Sequence, residues 1–177
     1  MTTDFKLRKS TLAAAFFAGC GVLAAPAFAQ SVPSAADFAG QAAIGGMFEI
    51  ETGKLVEEKS SPNISRLAGP LAKDHASMLA ELKTLVQSGK VRAEIPTSLD
   101  AGLQRNFDKM KALKGGAFDK SYFDIQVSVQ QEHVTVFERY AKGGDNVDLK
   151  GFAAKYLPRL QQHLKAVRDT REVIMDE

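Results

Sequence analysis

Small and apolar residues recur at steps of three and four along four long stretches of the chain, and each stretch carries one ionisable residue inside its apolar stripe. Such spacing marks one face of an α-helix, because positions three and four apart stack on the same side. The first stretch, from a cap at Ser34 to about Lys59, aligns Ala42, Gly46, Glu49, Gly53 and Val56. The second starts at Ser61-Pro62, a cap followed by proline at the first helical position, and stops near Ser88-Gly89. Its stripe is Ala68, Leu71, His75, Met78, Leu82 and Leu85. A third from near Asp119 to Gly143-Gly144 aligns Ile125, Val129, His133, Val136 and Tyr140, and a fourth from near Asp148 aligns Leu149, Phe152, Tyr156, Leu160, His163 and Val167. Pro70 and Pro158 each stand five residues before a histidine and predict a bend there, since proline removes one helical bond and crowds the preceding turn. The shared spacing hints at two related hairpins in which Glu49 corresponds to His133 and His75 to His163.

Residues 90–117 have weaker periodicity, with Pro96, a helix expected from about Asp100 to Lys114, and a break at Gly115-Gly116. A helix of that length covers ~22 Å, enough to return the chain along a bundle so that the second and third long helices run parallel. The pattern predicts an all-α, ferritin-like four-helix bundle with a crossover connection carrying an extra helix. Counting from helix starts and turns puts Glu49, His75 and His133 at one level, with His163 offset by ~10 Å. The interior glycines at Gly46 and Gly53, each costing ~1 kcal/mol relative to alanine, imply a close approach on either side of Glu49.

The N-terminus changes how the remainder is read. Lys6, Arg8 and Lys9 precede an apolar run from Leu12 to Ala25, and Ala27-Phe28-Ala29 is a small-x-small cleavage site. Residues 1–29 therefore read as a secretion signal peptide and 30–177 as a single helical-bundle domain, located in the periplasm. The run is short of the ~20 apolar residues a spanning helix needs, so no transmembrane span is expected in the mature chain. Phe17-Ala18-Gly19-Cys20 loosely imitates a lipid-attachment box, and outer-membrane anchoring through Cys20 is the alternative. Without Asp4, Lys6, Arg8 and Lys9 the formal net charge of +2 falls to zero. An even, neutral charge distribution argues against a nucleic-acid partner. Cys20 is the chain's single cysteine, so the mature domain holds neither a disulfide nor a thiolate.

The candidate chemistry lies in the four striped residues. Three imidazoles and a carboxylate, Glu49, His75, His133 and His163, form a ligand set suited to iron, manganese or zinc. Asp74 and Glu132 adjoin histidines but point about 100° away around their helices, where they would orient imidazoles or bridge helices. The Glu-x-x-His signature of di-iron carboxylate bundles is missing, since Ala72 and Gln130 stand three residues before His75 and His133. The same four residues also suit a hydrogen-bonded structural layer, because buried polar groups need partners whether or not they do chemistry. Tyr122, Tyr140 and Tyr156 and the scattered methionines read as packing. No phosphate loop, Ser/His/Asp set or cysteine nucleophile is present, which removes nucleotide-binding and simple hydrolase readings.

Several segments together resemble a bacterial exported family, domain of unknown function 4142. They are Gly45 to Lys54 (GGMFEIETGK), Leu71 to Leu82 (LAKDHASMLAEL), Gly116 to Tyr122 (GAFDKSY), Gln131 to Phe137 (QEHVTVF) and Phe152 to His163 (FAAKYLPRLQQH). The matching positions are Glu49, Asp74, His75, Asp119, Tyr122, His133, Pro158 and His163, with Pro70 a departure. The resemblance implies export, a predicted outer-membrane or periplasmic location and a ferritin-like bundle, and implies no activity. The leading expectation is a non-enzymatic envelope or stress-associated protein acting through an envelope protein or a small molecule. The alternative is a metal-binding or redox bundle using the four striped residues.

Overall fold

The computed structural model describes residues 31–60 and 62–175. Five helices account for most of them: α1 (Ala35–Lys59), α2 (Pro62–Gln87), α3 (Ala101–Ala112), α4 (Gly115–Gly143) and α5 (Val147–Met175). The expected leader at 1–29 lies outside the described residues.

Helix ends follow local chemistry. Ser34 caps α1 by accepting from the Asp37 amide at 3.1 Å, and Asp37 places a carboxylate in the first turn where the helix dipole favours it. Beyond α2, Gly89 takes φ +76°, a left-handed conformation open to glycine at little cost. Asp100 caps α3 by accepting from the amides of Gly102 and Leu103, and Asn146 caps α5 through the Leu149 amide. One expectation is corrected here. The glycine pair expected to separate helices instead forms the first turn of α4, with Gly115 at φ +55° turning the chain into it. Both interior prolines lie within continuous helices and on exposed faces.

Four side-chain ties define the topology. Lys59, at the end of α1, donates to the carbonyls of Lys111 and Leu113, and Ser60 donates to Asp119 at 2.8 Å, so α1 ends where α4 begins. At the other end Asn146, between α4 and α5, donates to the Lys90 carbonyl at 2.9 Å, so the chain leaving α2 starts its return beside the α4–α5 turn. Residues 90–113 thus traverse the bundle, and α2 and α4 run parallel. Two antiparallel hairpins, α1–α2 and α4–α5, pack with α1 against α4 and α2 against α5, while α3 covers the α1–α4 side. This is the expected all-α bundle with a crossover carrying an extra helix.

The apolar core falls into two clusters. One holds Phe38, Ala43, Met78, Leu82, Val134, Phe137, Phe152 and Leu164; the other holds Phe48, Val56, Ile64, Leu71, Phe118, Phe123, Val129 and Val167. On α2 and α4 the division falls at the striped histidine, and on α1 and α5 it falls within a turn of Glu49 and His163. The striped residues of α1, α2 and α5 are buried as expected, with Leu85 and Tyr156 half-buried. On α4 the buried stripe is rotated: Tyr122, Gln126, Val129, Gln130, His133, Phe137 and Tyr140 face in, while Ile125 and Val136 are only half-buried.

Candidate metal centre

Glu49, His75 and His133, from α1, α2 and α4, converge between the two apolar clusters. Each offers one ligand atom, and these atoms all lie within 4.8 Å of one another. Their exposures are 2%, 1% and 7%, so bulk water does not solvate them. Each also has a buried polar atom without a hydrogen-bond partner: Glu49 Oε1, His75 Nε2 and His133 Nδ1.

Close helix packing permits this convergence. A Cβ on Gly45 would stand 1.7 Å from His133 Nε2, so the His133 ring occupies the space that any side chain at 45 would take. About two turns further along α1, a Cβ on Gly53 would stand 2.6 Å from the Ala72 Cβ, which sets the approach of α2 to α1. Gly46 leaves ordinary contact distances and imposes no such constraint.

The electrostatics follow from burial. Desolvation raises the Glu49 pKa to about 8, although the Gln126 and Gln130 amides beside it pull it partly back. Burial lowers His133 to about 4 and His75 well below its usual value, with the charges of neighbouring histidines adding to both effects. Both imidazoles are therefore neutral near pH 7, the form that ligates a metal. Tyr122 is pushed up by burial and by the negative charge of Glu49.

His163 sits at the edge of this group. Its ring centroid is 5.4 Å from that of His75, nearer than the expected axial offset suggested, and the His75 and His133 rings are 5.3 Å apart. Its Nε2, however, meets Asp74 Oδ2 at 2.9 Å, and Arg159 donates to the same oxygen at 2.8 Å. Burial raises the Asp74 pKa, yet the bonds from His163 and Arg159 outweigh it and hold this carboxyl below the usual range. Asp74 thus orients His163, not its chain neighbour His75. Glu132 is exposed and makes no bond to a histidine.

Gln126 and Gln130 are the polar residues of this layer that sequence reasoning passed over. Both are fully buried, and Gln126 donates to Thr52 Oγ1 at 3.3 Å. Both amide atoms of Gln130 and Oε1 of Gln126 lack partners. The signal was present: 126, 130, 133, 137 and 140 step by four and three, placing both glutamines on the His133 face.

The fold and this cluster define a one-crossover helical bundle with a buried carboxylate–imidazole layer. The chain belongs to the family described as Domain of unknown function (DUF4142), whose model matches residues 21–170. No curated protein and no solved structure matches it. Among the described residues, no helix is long and apolar enough to cross a membrane.

Proposed function

We propose that this protein is an exported metal-binding bundle in which Glu49, His75 and His133 hold one divalent transition-metal ion. The observation that carries the reading is the convergence of three donors from three helices within 4.8 Å, each residue fully buried and each bearing a polar atom without a partner. A purely structural polar layer stabilises itself by pairing its groups, and an unpaired buried polar atom costs about 1–3 kcal/mol. Converging donor residues that each retain an unpaired buried atom favour an ion as the missing partner.

Two nitrogens and one oxygen suit zinc, iron(II) or manganese, and a three-residue set leaves coordination positions free for water or a small molecule. The ion would supply Lewis acidity, and iron or manganese would add redox capacity. Gln126 and Gln130 flank the carboxylate, while His163, fixed by Asp74, lies against His75. The periplasmic part of the reading rests on Lys6, Arg8, Lys9, the Leu12–Ala25 run and the Ala27-Phe28-Ala29 site.

Elemental analysis of untagged protein purified from the periplasm, beside H75A/H133A, tests the metal-binding part, and recovery from that compartment tests the export. Near-stoichiometric metal in the wild type and none in the double variant is the expected result. Metal-free wild-type protein that stays so after incubation with each ion would leave the layer a structural one and return the search to envelope partners.

A further inference from the structure

A cavity of about 90 Å³ lies between α1 and α4 beneath the start of α3, and His133 forms part of its wall. Its sides are largely apolar, from Ala42, Val129, Val136 and Phe137, while the exposed carboxylates of Asp100 and Glu132 also line it. Several waters fit in that space, enough for a small cation with part of its hydration shell. His133 borders this space and also belongs to the three-residue cluster, where its Nδ1 is without a partner. On the opposite side of the layer Arg159 and His163 both bond Asp74, and Lys155 and Tyr156 both donate to Glu81 one to two turns further along the α2–α5 seam.

We propose that the α1–α4 cavity is the path by which a divalent cation reaches the buried centre, drawn in by Glu132 and Asp100 and passed inward by the His133 ring. The inference rests on the metal-binding reading above. It assigns distinct duties to residues that make no bond to the cluster. Glu132 and Asp100 attract the ion from solution, an effect that salt screens. Val136 sets the bore. Asp100 retains a free carboxylate oxygen for this purpose, since both cap bonds of α3 go to its Oδ1. Because α3 roofs the path, the crossover helix gains a role that a plain four-helix bundle would lack.

A residue that only lines the path changes the barrier in both directions and leaves the end states alone, so it alters rates without altering affinity. The test is stopped-flow uptake of cobalt(II) by metal-free protein, read by quenching of tyrosine fluorescence, with dissociation followed after adding a chelator. Val136→Phe should slow association and dissociation by the same factor, roughly tenfold, and leave Kd unchanged. Glu132→Gln, an exposed change that leaves the core intact, should slow association several-fold at low salt, with the difference vanishing at high salt. Wild-type loading rates in both variants would overturn the path while leaving the metal centre standing. Faster loading in Arg159→Ala, with none of the expected slowing in Val136→Phe, would overturn it in favour of the α2–α5 side. A wild-type protein that takes up no cobalt would overturn the path and the centre together.

Discussion

A methyl group at position 45 and the His133 ring cannot share the same space, because the added Cβ would lie 1.7 Å from Nε2. Gly45→Ala should therefore displace His133 without removing any ligand, lowering metal content and destabilising the fold by about 1–3 kcal/mol through overpacking. Gly40 on the same helix is the control: a Cβ there meets nothing within 4 Å, so Gly40→Ala should gain up to ~1 kcal/mol from helix propensity. Thermal melts and metal analysis of the pair check this, and equal metal content in both would count against the assigned place of His133. Protonation at the same site gives a second prediction. In metal-free protein Glu49 titrates at about 8, above its ordinary 4.5, so the folded state retains a proton that the unfolded chain has released. Stability must then fall as pH rises between those values. The lowered histidines act oppositely, their contribution being lost as pH drops below 6.5. Between pH 6.5 and 8 Glu49 acts alone among these three, and the metal-free protein should lose roughly 1–2 kcal/mol. Glu49→Gln should flatten that decline in urea titrations at the two pH values, and an undiminished decline would refute the assignment.

Among the helices, the contact of α1 with α2 is set by Gly53, whose absent side chain admits Ala72. Gly53→Ala should push the helices apart and cost about 1–3 kcal/mol, visible as a lower urea midpoint. A stability equal to that of Gly40→Ala would show that the seam yields without cost. The periodicity of the chain made this element-level picture legible. Glu49, His75 and His133 were placed at one level by counting along helices of known rise, and the crossover followed from a connection too long for a simple hairpin. The α4 stripe was harder to read, because Gln126 and Gln130 are polar and an apolar pattern assigns such residues outward. That bias shifted the expected stripe toward Ile125 and Val136, which are only half-buried. The start of α4 was missed for a related reason: glycine pairs usually interrupt helices, and only the positive φ of Gly115 shows that the pair begins one. The bond of Asp74 to His163 was illegible, since it joins residues on separate helices whose relative rotation periodicity leaves unspecified.

At the scale of the whole molecule, the polar layer divides what would otherwise be one continuous core, with Phe38 to Ala43 on one side along α1 and Phe48 to Val56 on the other. Without an ion, the two apolar ends are joined through a layer in which Glu49, His75 and His133 each keep an unpaired buried atom, and among the described residues the hairpins are tied there only by Asp74 to His163 and Arg159 and by Gln126 to Thr52. An ion held by α1, α2 and α4 would bridge both hairpins there, satisfying three of the unpaired residues at once. Because it binds only the assembled site, it must stabilise the fold by mass action, by about 2.7 kcal/mol at a free concentration one hundred times Kd. For a domain of this size that raises Tm by roughly 5–10 °C. The shift should grow with the logarithm of metal concentration, reverse with chelator and vanish in H75A/H133A. Magnesium, which prefers oxygen ligands and keeps its waters, should produce little shift at the same concentration. A melting temperature indifferent to zinc, manganese and iron(II), with the fold otherwise intact, would mean that the layer is stabilised by some other guest, and bound water would then be the first to seek.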